Sequence, residues 1–294
     1  NPLPKGLNES ILAGAVEGAL VRSMRDCAAV TEVLAIHRHL GGSFMPSHPP
    51  PTLRPQAQVK SRPFRIGFCT QAWGSDVKID SDVQSALAKM AQRLEHLGHQ
   101  VIELSPQDIC DFNALRESFT VAEWLLPISR ELMYQVHEAN VELTDANASI
   151  QLRNHLALAD RYDVDDLFGA QLETEGLMRH WGAFWQHGPC DLLLSPVTPI
   201  TCPEVTASYR MDSDLDFDSW FAALFDAACF TIPANHMGLP ALSIPAGLDH
   251  NGCPIGMQLM APWRHEHDLL HLGFQIEQSH PELFNLKPRH GLHR

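Results

Sequence analysis

The chain has 294 residues, of which 45% are hydrophobic and 19% charged, a composition typical of a globular protein with a large buried core. Its net charge of −14 disfavours binding to nucleic acid or to any other polyanion. No apolar run approaches the roughly 20 residues that a membrane-spanning helix needs, so we expect no membrane partner. Asn1 is not an initiator Met, and we expect the natural protein to begin before it.

The seven cysteines are scattered along the chain, odd in number and without a C-x-x-C pair. This pattern argues against a disulfide framework and against a zinc ribbon. We therefore expect the protein to reside in a reducing cytoplasm.

An N-terminal helix is predicted from Ser10 to Leu40, where Ala, Val and Leu recur at helical spacing and Gly41-Gly42 supply a stop signal. Residues 44–63 follow, rich in proline and polar side chains and without periodicity. This composition predicts a Pro-rich connection at the surface.

A strand, a helix and a second strand are predicted at Phe64–Cys69, Asp82–Leu97 and Val101–Leu104. A side chain at residues 80–81 can cap the start of the helix, and Gly98 can adopt the left-handed conformation that ends it. Strand, helix and strand within so short a stretch indicate a βαβ unit, whose two strands should be parallel neighbours.

Two helical regions are predicted in the middle of the chain, Phe112–His137 with an interruption at Pro127, and Asp165–Trp185. Trp and Met side chains at helical spacing are core residues far more often than ligands. We expect the second helix to point these side chains inward: Leu167, Leu177, Met178, Trp181 and Trp185.

The C-terminal third predicts three strands and two helices. The apolar run Asp191–Pro196 is typical of a strand buried on both faces, and Asp214–Phe230 predicts a helix. Strands Ala241–Ile244 and Ile255–Leu259 flank an Asn-Gly pair suited to a tight hairpin, and Glu266–Gln278 predicts the closing helix. The sum is an α/β fold, a mixed β-sheet flanked by helices on both faces.

No residue stands out as a nucleophile. The G-x-S-x-G pattern of a strand-to-helix serine elbow is absent from the sequence. Gly41-Gly42-Ser43 looks superficially like a nucleophile loop, but Phe44-Met45-Pro46 follows it instead of glycines that would expose backbone N–H groups. A linker is the better interpretation of this segment.

Histidine is abundant, at 17 residues, and His267 and His271 have the i, i+4 spacing that can place two imidazoles on one metal ion. The turn between them offers two leucines where a zinc motif would have a Glu, and no third ligand is evident. On this basis we expect no metal. A Cys–His catalytic pair stays open, although Cys229 and Cys253 lie in apolar sequence.

Three segments carry a family resemblance. The longest is FTIPANHMGLPALSIPAG, residues 230–247, which is followed by GCPIGMQL at 252–259. Upstream of it lie DLLLSPVTP at 191–199 and VRSMRDCAA at 21–29. Together and in this order they resemble the C-terminal part of amidase-signature enzymes, over essentially the whole chain. The resemblance implies that residues 1–294 are the C-terminal portion of a single amidase domain.

The resemblance implies an activity and a mechanism. Members of the family hydrolyse amide bonds with a Ser–cis-Ser–Lys triad and a glycine-rich oxyanion loop, without a metal or organic cofactor. The family would place all of these groups before Asn1, so no residue here receives a catalytic role and we expect the chain alone to be inactive. The substrate would be a small-molecule amide.

Within the C-terminal motif, Asn235 and Gly238 can turn the backbone sharply before the strand that begins near Ala241, which either a substrate pocket or a tight core would use. Packing roles are expected for Gly238, Pro240 and Pro245. The candidates for substrate contact are Thr198, Phe230 and Asn235.

Residues 22–26 and the Pro-rich run before Phe64 most resemble the bacterial branch that includes the 6-aminohexanoate-cyclic-dimer hydrolase. In contrast, Ala227, Ala228 and Cys229 stand where the amidase component of glutamyl-tRNA amidotransferase usually has an acidic residue. This departure argues against that component.

Two alternatives to an amidase stay open at this stage. The chain could be a non-catalytic scaffold or binding protein that retains the fold, or an independent thiol hydrolase. A homodimer is compatible with either the enzyme or the scaffold.

Overall fold

A computed structural model of the chain describes residues 18–37, 62–204 and 208–286. In chain order its elements are α1 Met24–His37, β1 Arg65–Phe68, α2 Ser81–His96, β2 Gln100–Glu103, α3 Pro106–Ile109, α4 Phe112–Phe119, a π-helical segment Thr120–Leu125, α5 Leu126–Glu138, α6 Ile150–Ala159, α7 Val164–His187, β3 Leu192–Pro196, α8 Phe217–Ala228, α9 Ile232–His236, β4 Ala241–Leu248, β5 Pro254–Met260, α10 Glu266–Ser279 and α11 Pro281–Phe284.

The five strands form one mixed sheet in the order β2-β1-β3-β5-β4. Strand β1 pairs in parallel with both β2 and β3, whereas β5 runs antiparallel to β3 and to β4. All five residues of β3, at the centre, are buried, as its continuous apolar sequence predicts. The predicted α/β class with a mixed sheet and flanking helices is confirmed.

The predicted βαβ unit is confirmed with its boundary signals. The carboxylate of Asp80 accepts a hydrogen bond from the Asp82 N–H at 2.9 Å and so caps α2. Gly98 follows the helix with φ of +91°, the left-handed conformation that favours glycine. One stripe of α2, including Val83 and Leu94, is buried in the core as its spacing predicts.

Helix α1 is shorter than predicted. It begins at Met24, and residues 18–23 form no helix. The hydroxyl of Ser23 accepts a hydrogen bond from the Asp26 N–H at 3.1 Å, which satisfies one free N–H of the first turn and sets the start of the helix there. The other parts of the predicted helix, Gly41-Gly42 and nearly all of the Pro-rich connection 44–63 lie outside the described residues.

The predicted interruption near Pro127 takes the form of a π-helical segment, not a break. The Leu126 N–H bonds to the Val121 carbonyl, five residues back, and the chain remains helical through the proline. Because Pro127 has no N–H and its ring crowds the carbonyl four residues back, a wider turn before it relieves the conflict.

The inward face of α7 differs from the prediction at one position. Leu177, Trp181 and Phe184 are buried, whereas Met178 is 40% exposed, so its predicted inward position is wrong. The buried residues follow the i, i+4, i+7 spacing of one helix face, and Met178 is turned about 100° away from Leu177. Leu167 and Trp185 are only half-buried.

The C-terminal elements are close to their predicted bounds, with two additions. Helix α8 starts at Phe217, later than predicted, because the Asp216 carboxylate accepts the Ser219 N–H and caps the helix there. The predicted hairpin is confirmed, with Gly252 at φ of +83° in its turn. Helices α9 and α11 were not predicted.

Sheet and helices enclose one large apolar core, in which Trp73, Trp181 and Phe230 are fully buried. In the part of the chain that the structure describes, no helix has the length and apolar character required to cross a lipid bilayer.

A substitution at Gly74, in the loop that follows β1, tests how tightly this loop is packed. Its φ is +62°, and a methyl group added there would lie 2.6 Å from the Phe112 carbonyl oxygen. Gly98 also has positive φ but nothing within 4 Å of an added Cβ. Both alanine variants would therefore be strained, and Gly74→Ala should destabilise the fold by about 1–3 kcal/mol more than Gly98→Ala because of overpacking. Urea unfolding of the two variants measures the difference, and equal losses would contradict the prediction.

Candidate functional site

The carboxyl ends of β1, β2 and β3 lie at the same edge of the sheet, because the three strands are parallel. The loops after β1 and β3 meet there, where the Asp80 N–H donates to the Pro199 carbonyl at 2.9 Å. Ligands of open α/β sheets bind outside the carboxyl ends of the strands, which makes this edge the candidate site.

Thr198 lies at this edge, two residues after β3, and is exposed. Its hydroxyl donates to the Ile200 carbonyl at 2.8 Å, so the side chain also stabilises its own turn. Next to it, the Val197 N–H donates to the Gly256 carbonyl at 3.1 Å and fixes the turn against β5.

Phe230 follows α8 and is fully buried. Its ring meets that of Trp73 edge-to-face, with centroids 5.2 Å apart. Its carbonyl accepts a hydrogen bond from Gln258 Nε2 at 2.7 Å, and the same nitrogen lies 3.3 Å from Ser195 Oγ. Phe230 therefore ties the end of α8 to the two central strands, with its ring in the core.

Asn235 is half-buried near the end of α9. Its carbonyl accepts the Gly238 N–H at 3.1 Å, and Gly238 has φ of +62°, so the left-handed residue that ends the helix is where the sequence suggests. The turn leads directly into β4 at Ala241. Asn235 and Phe230 thus belong to one connection, α8 to β4, whereas Thr198 lies on another.

A buried polar cluster adjoins Asn235. His236 Nδ1 lies 2.5 Å from Glu123 Oε1, and His236 Nε2 lies 2.8 Å from Ser118 Oγ and 3.3 Å from Thr174 Oγ1. Glu123, His236 and Ser118 are each 5% exposed or less. Glu123 belongs to the π-helical segment, so the cluster joins α4, the π-helical segment and α7 to the C-terminal motif.

The order serine, histidine, carboxylate resembles a nucleophilic triad, but the hydrogen bonds indicate another role. The Ser118 hydroxyl donates to the Leu115 carbonyl at 3.1 Å, and the Thr174 hydroxyl donates to that of Ala170 at 2.8 Å. Each hydroxyl has a single proton, so His236 Nε2 must itself donate to them. An Nε2–H that donates to Ser118 cannot act as its base, so the cluster is a buried hydrogen-bond network that leaves Ser118 without activation.

The cysteines are poor candidates for a nucleophile. Burial raises the pKa of Cys110, Cys190 and Cys229 to about 12, which keeps these thiols protonated at neutral pH. Burial also raises the pKa of Cys253, and the nearby Asp249 carboxylate adds to the effect. Cys202 is the exposed cysteine. The thiol hydrolase gains no support from these environments.

An open cleft of about 530 Å³ adjoins α4 and the π-helical segment. Arg116, in its wall, donates to the Gly74 carbonyl at 3.3 Å and stacks on Phe225, which links the cleft to the loop after β1. The lining residues are Asn113, Arg116, Glu117, Thr120, Val121, Tyr162 and Phe221.

The Glu123–His236 pair was not predicted from the sequence, although one signal was present. Glu123 is the only charged residue in the apolar run 121–126, and a carboxylate in a buried helix face needs a partner. Its partner lies 113 residues later in the chain, which no local pattern could show.

Comparison with known proteins gives consistent matches. The family model described as Amidase matches residues 5–270. A 6-aminohexanoate-cyclic-dimer hydrolase of Pseudomonas sp. (strain NK87) is 28% identical over 290 residues, which cover 93% of this chain and 55% of the relative. A 6-aminohexanoate-cyclic-dimer hydrolase of Paenarthrobacter ureafaciens is also 28% identical over 290 residues, 93% of this chain and 55% of the relative.

A solved structure of 6-aminohexanoate cyclic dimer hydrolase is similar in fold, with a TM-score of 0.84 at 24% sequence identity. The match covers 98% of this chain and 60% of that chain. The chain therefore spans little more than half the length of these hydrolases.

Proposed function

The chain belongs to the amidase family, and from this premise we propose that it forms part of an enzyme that hydrolyses a carbon–nitrogen amide bond. The observation that carries the proposal is the match of the Amidase family model over residues 5–270. The similar fold of the cyclic dimer hydrolase is consistent with it.

In this proposal the attacking groups are a Ser–cis-Ser–Lys triad upstream of these residues. Two observations support it. The chain spans 55% of the length of the hydrolase from Pseudomonas, which leaves room for such a segment in a protein of that length. Among the described residues, the serine with a histidine partner, Ser118, is buried and donates its proton to a backbone carbonyl.

The contribution of this chain is then a wall of the substrate pocket. Thr198 offers a polar group at the carboxyl edge of the sheet, Asn235 offers one on the connection from α8 to β4, and Phe230 shapes the wall from the core side. The substrates are small amides, for which cyclic or linear 6-aminohexanoate amides are the first to try, given the name of the relative. The chemistry we propose needs no metal or organic cofactor. We further propose a cytoplasmic protein that can form homodimers.

Site variants in the longer protein that carries the upstream segment test the role of the wall. Thr198→Val and Asn235→Ala should each lower kcat/KM about 3- to 10-fold, the loss expected for one hydrogen bond to the substrate. Asn285→Ala is the matched control, because Asn285 is exposed just after α11 and its side-chain amide donates to the nearby Pro281 carbonyl at 2.9 Å. Steady-state hydrolysis of an aryl amide and of the cyclic dimer gives the values.

Unchanged kcat/KM in both variants would show that neither Thr198 nor Asn235 contacts the substrate. A folded longer protein that hydrolyses none of the amides would instead favour the non-catalytic scaffold.

A further inference from the structure

The strongest unassigned cluster lies at the start of α10. His265 Nδ1 is 2.8 Å from Asp268 Oδ2, and His267 Nε2 is 3.4 Å from Asp268 Oδ1. Each of His265, His267 and Asp268 has a side-chain nitrogen or oxygen atom that lies within 4.8 Å of such an atom in the other two. The rings of His265 and His267 stack at 5.7 Å.

We propose that His265, His267 and Asp268 bind one transition-metal ion of the Zn²⁺ class. Imidazole nitrogens and a carboxylate oxygen are common Zn²⁺ ligands with bonds of about 2.0–2.2 Å, which place the ligand atoms of a tetrahedral ion roughly 3.3–3.6 Å apart. The separation of His267 Nε2 and Asp268 Oδ1 already falls in that range. Metal binding takes the place of the hydrogen bond between His265 Nδ1 and Asp268 Oδ2, and the proton of that bond is released to solvent.

Around His267, Asp268 and His265 supply the further ligands that the i, i+4 spacing of His267 and His271 alone does not reveal. The rings of His267 and His271 meet edge-to-face at 6.3 Å, so His271 can approach the ion through a change of rotamer. The two histidines beside Asp268 are 43% and 55% exposed, which leaves the ion a path from solvent.

His265 lies on the connection between β5 and α10, which two hydrogen bonds hold in place. The Trp263 indole N–H donates to the Met237 carbonyl at 2.8 Å, and the Ala261 N–H donates to the Pro240 carbonyl at 3.1 Å. Ligands on a fixed support lose less conformational entropy when they bind an ion.

A second cluster, Asp82, Asp249 and His250, has similar spacing but different chemistry. Both ring nitrogens of His250 are engaged, Nδ1 with Asp82 at 2.6 Å and Nε2 with the Asn251 amide at 2.9 Å. A single imidazole with two carboxylates suits Zn²⁺ less well than two imidazoles with one carboxylate. This cluster therefore serves as the control.

Isothermal titration of the protein with ZnCl₂ tests the proposal, with His265→Ala, His267→Ala and the control His250→Ala. We expect the tightest Zn²⁺ site to weaken at least about tenfold in the first two variants, the loss expected when a metal ligand is removed, and to remain unchanged in the control. Because other histidines can bind zinc weakly, the difference between variants is the measured quantity. All three substitutions are at partly or fully exposed residues, and circular dichroism checks the fold.

Cobalt absorption provides a second measurement. Co²⁺ in a tetrahedral site of nitrogen and oxygen ligands absorbs in the visible range, and this band should appear in the wild type and in His250→Ala but be lost in His267→Ala. Wild-type zinc affinity in His265→Ala and His267→Ala, or an equal loss in His250→Ala, would overturn the proposal.

Discussion

Replacing His236 by leucine is expected to lower the free energy of unfolding by about 3–5 kcal/mol, because the substitution leaves the Glu123 carboxylate buried without its partner. Among the residues that the structure describes, Glu123 Oε2 has no hydrogen-bond partner, so the carboxyl group depends on the contact of Oε1 with His236. The imidazole also joins α9 to Ser118 and Thr174, so its loss loosens the C-terminal motif from α4 and α7.

The free energies of unfolding of three variants, measured in urea, separate the cost of leaving Glu123 without its partner from the cost of lost packing. Glu123→Leu/His236→Leu removes both polar partners of the buried pair, and the hydroxyls of Ser118 and Thr174 keep their carbonyl acceptors, so the double variant should recover most of the stability lost in His236→Leu. His250→Leu breaks an exposed pair with Asp82 and should have an effect close to that of a typical surface substitution. A loss in His236→Leu as small as in His250→Leu would show that the buried pair contributes little.

The second large effect concerns activity. The 294-residue chain alone should hydrolyse simple aryl amides no faster than the uncatalysed background, and joining it to the upstream segment should restore turnover. Because enzymes typically accelerate reactions by at least about 10⁶-fold, the difference should be easy to detect. In the proposed function the wall residues would position a substrate, and the attacking groups would come from the upstream segment.

Initial rates of the two proteins at equal concentration, with release of the aryl amine as the signal, give this comparison. Circular dichroism of the shorter chain controls for folding. Turnover by the folded shorter chain would mean that the nucleophile lies within it.

Elements with strong local signals were predictable from the sequence. The βαβ unit was found because Asp80 caps its helix, Gly98 ends it and the stripe of α2 is regular. The buried central strand was found because its apolar run has strand length and ends at a proline. In each case the residues that decide the structure are close in sequence.

Elements that depend on distant or compensating contacts were not predictable. The π-helical segment before Pro127 arises from a conflict between proline and helix geometry that propensities do not describe. Met178 is apolar like Leu177 before it but turns away from the buried face of α7.

The same division holds at the candidate site. The resemblance to amidase-signature enzymes is confirmed, and the sharp turn predicted at Gly238 is present, with φ of +62°. The partner of His236 could not be found in this way, because a pattern in the sequence cannot show which face of α9 meets the π-helical segment. The roles of Thr198, Phe230 and Asn235 in substrate binding stay predictions.

The position of a covalent label tests the central claim most directly. The longer protein is treated with a fluorophosphonate, which modifies activated serines, and the labelled peptide is identified by mass spectrometry. We expect a label on a serine upstream of residues 1–294 and a loss of activity in proportion to labelling. A stoichiometric label within residues 1–294, on Ser118 for example, would contradict this expectation.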